Sequence, residues 1–208
     1  MIKKCYLLVI AICSVALFSS CLDDEPNDDN RTITLSKQEI ALRNSMLHGT
    51  WEGKIYFVNT ETQKADSIYS VWKGDSVSKT ITFENFPVKV LAYYLEGEAK
   101  NAIEQCDTHQ LVFDYITPTT DLAQYDNMQY FRYSFVPKNM ELSIIAENNE
   151  LKISFVDNLT DYSNVYKPTA IFHRRQMQGN ILVGSVTFNN NTQTINRLLS
   201  FSGNKIGL

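Results

Sequence analysis

Apolar and polar positions alternate through most of this chain, most cleanly at Leu151–Val156. There Leu151, Ile153 and Phe155 alternate with Lys152 and Ser154. That is the period of a strand with one face in a core and the other in water. The same period recurs upstream and downstream. Trp51, Ile55 and Phe57 share one face of a segment running to about Val58, with Tyr56 and Val58 on the other. Ser67–Lys73 and Val77–Phe83 read as strands around Gly74-Asp75, a turn signal. His109–Ile116 carries Leu111, Phe113 and Tyr115 on one face, and Met128–Val136 carries Phe131, Tyr133 and Phe135. Pro118–Asp121 between them reads as loop. Glu141–Ala146 and Leu151–Val156 flank a hairpin turn at Glu147–Glu150, and Thr169–Arg175, Ile181–Phe188 and Thr194–Phe201 complete the series. Asn189-Asn190-Asn191 marks the last hairpin.

The period changes twice. Ser36-Lys37-Gln38-Glu39 is a capping box, with serine at the N-cap and glutamate three residues on. It predicts a helix over 37–47, with Ile40, Ala41, Asn44 and Leu47 on one face and Gly49 as its stop. After Phe86-Pro87, the apolar positions Val88, Leu91 and Leu95, with Val90 and Tyr94 beside them, fall at helical spacing. Gly97 interrupts, and Glu98–Cys106 continues with Ala99, Ala102, Ile103 and Cys106 on one side. The prediction is a mainly β, antiparallel fold of about 8–10 strands, with an N-terminal helix and a helical insert near 87–106. Several strands carry apolar residues on both faces. That favours closure into a barrel or sandwich over an open sheet, which would expose the second face.

The first thirty residues follow a different logic. Lys3 and Lys4 precede a nearly continuous apolar run from Cys5 to Phe18, then Ser19, Ser20 and Cys21. Charge, apolar run and small residues in that order predict a secretory signal peptide over 1–20. The run has 14 positions, short of the roughly 20 that a spanning helix needs. From Asp23 to Asp29, five of seven residues are carboxylates. They cannot bury anything and predict a self-repelling tether over 21–32, leaving 33–208 as a single domain.

Charge and cysteine content narrow the chemistry. The formal net charge is −4, more negative once Lys3 and Lys4 leave with the leader. No basic run is present, which argues against nucleic acid and against electrostatic membrane binding. Of the four cysteines, Cys5 and Cys13 belong to the leader and Cys21 to the cleavage point. Cys106 stands alone, more readily a small buried hydrophobe than a nucleophile. His48, His109 and His173 are scattered, with no HExxH or CxxC spacing, so no metal or cofactor is expected.

Two carboxylate groupings, Asp157-Asn158 with Asp161 and Glu147 with Glu150, fall in turn-like segments where such residues are expected anyway. His173-Arg174-Arg175 is a polar triplet alternating along a strand. No nucleophile–base constellation is visible, and a non-enzymatic role is expected.

Leu17-Phe18-Ser19-Ser20-Cys21 resembles the lipobox of bacterial lipoproteins. The resemblance implies that Cys21 becomes the N-terminus and carries acyl chains, and several chains give stable anchoring where one does not. The acidic stretch after Cys21 looks like the surface-export signal of Bacteroidetes-type lipoproteins, which implies an outer-membrane, surface-exposed location. Leu47-His48-Gly49-Thr50-Trp51 resembles the opening of a lipocalin-type barrel, in which a short helix leads into a Gly-x-Trp strand and the tryptophan plugs the floor. Thr160-Asp161-Tyr162 resembles that family's second motif, with Val165 where a further tyrosine is expected and Tyr166 one later. The resemblance implies that Arg174 or Arg175 stacks on Trp51.

The segment Thr80–Val88 (TITFENFPV), a strand into Phe-Pro-Val, resembles uncharacterised Bacteroidales surface lipoproteins with a calycin-like barrel. That family implies a fold and a location but no activity. With aromatics at 12% of residues, the expected function is a surface-tethered module for a small apolar ligand or a glycan. Trp51, Trp72, Tyr93 and Tyr94 are candidate contacts, though core packing claims each of them as well. The alternative is an interaction component of a surface protein assembly.

Overall fold

The computed structural model describes residues 32–122, 130–146, 149–156 and 169–206. The leader, Cys21, the acidic tether, Glu147, Asp157-Asn158, the Thr160-Asp161-Tyr162 motif and Tyr166 lie outside the described residues.

Alternation builds the strands as expected. β2 (Gly49–Asn59), β3 (Lys64–Asp75), β4 (Thr80–Phe86), β5 (His109–Ile116) and β7 (Tyr130–Pro137) carry the first half of the pattern. β8 (Glu141–Ala146), β9 (Asn149–Phe155), β10 (Thr169–His173), β11 (Gln176–Phe188) and β12 (Asn191–Ile206) carry the second. In β7 every second residue is buried, and those are Phe131, Tyr133, Phe135 and Pro137. Two three-residue strands, β1 (Thr32–Thr34) and β6 (Thr120–Leu122), pair with each other beside this sheet.

The strands β10, β7, β5, β4, β3, β2, β12 and β11 follow one another as antiparallel neighbours, and β11 returns to β10. Eight strands therefore close an antiparallel barrel of the calycin-like kind. On the edge away from β12, β11 serves two partners. Its first residues pair with β10, and from Val183 onward, across a register shift between Val183 and Ser185, it pairs with β9. β9 and β8 thus extend the sheet as a hairpin beyond the barrel. Between β2 and β12, Gly53 stands opposite Gly203. A Cβ on Gly203 would overlap the Glu52 carbonyl and the Trp72 ring, so close strand approach demands glycine there.

The barrel interior is filled. Trp72, Phe83 and Phe201 make a triangle of rings with centroids 5.2–5.4 Å apart, and Phe113 stacks on Phe135 at 3.9 Å. All five are at most 1% exposed, so the space an internal apolar ligand would take is occupied by side chains.

Both ends are covered. α1 (Lys37–Leu47) closes one end, here called the floor. Ser36 and Glu39 form the expected capping box at its start. At its end the Trp51 indole N–H donates to the Leu47 carbonyl at 3.1 Å. At the other end a 3-10 helix (Val88–Tyr94) and α2 (Gly97–Glu104) bury Val88, Leu91 and Ile103 completely.

Four expectations need correction. The buried face of α1 is Arg43, Asn44 and Leu47, whereas Ala41 is exposed and Ile40 half-buried. Arg43 is accommodated because Asp121 on β6 meets it at 3.0 Å and Arg132 meets the same carboxylate at 2.6 Å. The Arg43 guanidinium also lies 5.4 Å over the Phe131 ring, and Asn44 accepts from the Thr117 hydroxyl. Gly74-Asp75 belongs to β3 rather than to a turn. Gly74 is there because the Leu47 carbonyl oxygen occupies the place of a side chain. The segment after Pro87 is 3-10 rather than α, with Val90 and Leu95 N–H groups bonding three residues back. Finally, β10 stops at His173, and Arg174-Arg175 form the turn into β11.

Candidate functional site

The sequence's candidate aromatics do not converge. Trp51 and Trp72 are fully buried. Trp51 packs edge-on against Phe172 at the floor, and the Trp72 N–H donates to the Met177 sulfur at 3.1 Å. Tyr93 and Tyr94 lie at the opposite end. Tyr93 stacks on Phe57 at 5.3 Å. The Tyr94 hydroxyl accepts from the Val58 N–H at 2.8 Å, and its ring lies 5.4 Å from the Arg197 guanidinium. The cation over Trp51 is Lys205, at 5.7 Å from the ring, instead of Arg174 or Arg175. β12 supplies it because the strand runs past Phe201, the expected end, to Ile206, where Lys205 is register partner to Trp51.

A cleft of about 440 Å³ opens on the outside of the barrel, at the α2 end. Its construction starts from the helical period of α2. Ala99, Ala102 and Ile103 turn inward against the core, which leaves Glu98, Asn101, Glu104 and Gln105 on the outer side. Gly97, at φ +60°, makes the sharp entry to this helix that a side chain would strain. The opposite wall is the end of β11 and the turn after it, where Phe188 and Asn189 stand. Asn189 and Asn190 take φ values of 50° and 62°, the left-handed pair of a type I′ turn that asparagine tolerates. Asn149, at the start of β9, closes the third side.

The walls are held at a fixed distance. The Gln193 side chain donates to the Glu96 carbonyl at 2.9 Å and accepts from the Glu96 N–H at 3.0 Å. This two-point clamp ties the entry of α2 to β12. On the outer flank Lys100 donates to Glu61 at 2.8 Å and lies 3.8 Å from Glu104. The Glu61 hydrogen bond holds the Lys100 ammonium above the ordinary lysine range, so it stays charged.

The lining is chemically uniform. Asn101, Gln105, Asn149 and Asn189 each offer an amide that donates and accepts, and Glu98 and Glu104 offer acceptors. Phe188, itself buried, is the apolar member. Such a lining suits a ligand carrying closely spaced groups that both donate and accept, as vicinal hydroxyls do. Cys106, just beyond α2, donates its thiol to the Ala102 carbonyl at 3.2 Å. Burial, with Asp107 adding to it, pushes that thiol above its usual range and away from the reactive thiolate. Among the described residues no group of three or more His, Cys, Asp or Glu side chains gathers as a metal site.

Asn101, Gln105 and Asn149 escape a sequence reading, because the polar side of a short helix looks like any solvated face. The asparagine run at 189–191 is the available signal, and it reads first as turn chemistry. Residues 46–188 match a family described as a domain of unknown function (DUF4840). No curated protein matches the chain.

Proposed function

The chain belongs to the DUF4840 family, and we propose that it is a lipid-anchored, non-catalytic binding module of the bacterial outer surface, taking a glycan in the α2 cleft. The anchor in this reading is Cys21, acylated after removal of residues 1–20. The filled barrel weighs against the other ligand class considered, a small apolar molecule held inside. The observation that carries the glycan reading is the cleft lining: four amides and two carboxylates around one aromatic residue, on walls clamped by Glu96 and Gln193. Glycan-array binding by the domain tests it. Retention of a subset of neutral glycans, lost in Asn101→Ala and Gln105→Ala, is the expected result. An array without hits, or hits that both variants keep, refutes the reading.

One observation favours the alternative, a component of a surface protein assembly. β8 is the last strand of the described sheet, and Ile145 on it is 73% exposed, with Met140 just before the strand at 42%. An edge strand carrying apolar side chains invites pairing with a partner. Crosslinking in the outer membrane, with a lysine-free, photoreactive residue at position 145, would trap such a partner. Recovery of the uncrosslinked protein alone would rule this surface out.

A further inference from the structure

The chain has no basic run, the ground on which electrostatic membrane binding is disfavoured above, but the fold gathers a cationic corner at the floor of the barrel from two separate segments. The hairpin between β10 and β11 turns on Arg174 and Arg175, with φ values of 46° and 72°. Left-handed dihedrals at two successive positions are what a two-residue type I′ turn needs, and Asn-Gly fills them with little strain. Arginine at both positions costs conformational energy and contributes nothing to the turn itself. Strain of this kind is kept where the side chains have a use. Both arginines are exposed.

β12 brings a third cation to the same corner. The Lys205 backbone N–H donates to the Arg175 carbonyl at 3.1 Å, and its ammonium donates to the Met46 carbonyl at 3.3 Å. Burial, with the Arg175 guanidinium adding to it, lowers the Lys205 ammonium below the ordinary lysine range. No ion pair joins Arg174, Arg175 or Lys205 to a carboxylate among the described residues. Asp75, at the same end, is engaged by the Val77 N–H, the Ser78 hydroxyl and His48.

The chain also enters the domain at this end. β1 pairs with β6, which follows β5 out of the floor, and α1 then crosses the floor to β2. The first described strand, β1, is therefore at the same end as Arg174, Arg175 and Lys205.

We infer that Arg174, Arg175 and Lys205 form an anion-binding face that docks the barrel onto the phosphate-bearing headgroups of the membrane to which its tether leads. Guanidinium forks match phosphate geometry, and a lysine adds a point charge beside them. The choice of a membrane as the source of phosphate rests on the Cys21 anchor proposed above. Three cations give weak attraction to a free domain, but a tether holds the face at high effective concentration, where weak attraction orients it.

The test uses residues 31–208, a compact unit on its own whose hydrophobic core lies entirely between Leu35 and Phe201. Without an anchor, this domain reports the face independently of Cys21. Partition is measured at low salt onto phosphatidylcholine vesicles with and without phosphatidylglycerol, alongside a titration with inorganic phosphate. The variant Arg174→Asn with Arg175→Gly restores favourable turn chemistry while removing two charges. Its thermal stability should hold or rise, so lost binding cannot be lost folding. The expected result is partition onto the anionic vesicles only, weakened by salt and about thirtyfold lower in the double variant. Equal partition of wild type and variant, or no preference for anionic vesicles, overturns the proposal. Saturable phosphate binding without vesicle partition also overturns it, since the ligand is then a free anion.

Discussion

Asp121 shows how a single residue governs the floor. Its side chain is fully buried between Arg43 at 3.0 Å and Arg132 at 2.6 Å. Removing one member of a buried ionic group costs about 3–5 kcal/mol, because the remaining charge loses its compensation. Asp121→Ala should therefore lower unfolding stability by about that amount in urea titrations. Lys152→Ala should change it by less than about 1 kcal/mol, because its pairs with Glu141 and Glu150 at 3.6 Å are solvated. Similar effects of the two substitutions would refute the assignment. Position 121 reads as loop in the sequence, and Arg43 sits on what looks like a polar helix face. Their partnership spans 78 positions and leaves no local pattern.

Tyr115 and Tyr133 make a second residue-scale case. Their rings meet edge-on at 6.1 Å, and neither hydroxyl has a hydrogen-bond partner. Burial, with Asp75 adding to it, pushes the Tyr115 hydroxyl up to about 12, and burial likewise raises Tyr133 well above the usual range. The folded state thus keeps protons that the unfolded chain releases near pH 10. The contribution of Tyr115 to stability is complete below that pH and is lost as pH rises through about 12. Urea midpoints should fall across this window, and a flat profile would contradict the burial of these hydroxyls.

At the scale of elements, local rules and tertiary contacts divide the chain between them. The capping box predicts α1 at 37–47, and Ser36 and Glu39 bond each other's backbone as that motif requires. Ser36→Ala should cost about 1 kcal/mol, read as a lower melting temperature. No change would mean that docking alone holds the helix. The strands are most legible where every second residue is buried over five or more positions, as in β5, β7 and β9. β1 and β6 are not, since three residues carry no period. Gly74 misleads for a physical reason. Turn glycines and close-approach glycines look alike until the Leu47 carbonyl is seen against it. The Arg174-Arg175 turn reads as strand in the sequence because arginine is an uncommon choice for left-handed dihedrals.

On the scale of the whole molecule, closure of the barrel decides what kind of binding is available. Alternating strands with apolar residues on both faces predict closure, and an eight-strand antiparallel barrel is found. What the strand pattern could not show is that the interior rings of Trp72, Phe83 and Phe201 meet one another, which is why the proposed ligand is placed outside. The cleft is assembled from α2, β9 and the β11–β12 turn, three segments spread between Glu98 and Asn189. Attachment is a separate proposal, resting on the lipobox-like sequence that ends at Cys21. Cys21→Ser should release the protein from the membrane fraction and abolish incorporation of a labelled acyl chain. Retention of both would refute the anchor.

The central claim, a polar ligand on the outside of a filled barrel, is tested most directly by chemical-shift mapping of the domain titrated with neutral oligosaccharides. The account predicts shifts at Asn101, Gln105, Asn149 and Asn189 and unmoved indole signals from Trp51 and Trp72. Shifts concentrated on those indoles and the Phe83 and Phe201 rings would contradict it, as would a spectrum that no oligosaccharide changes.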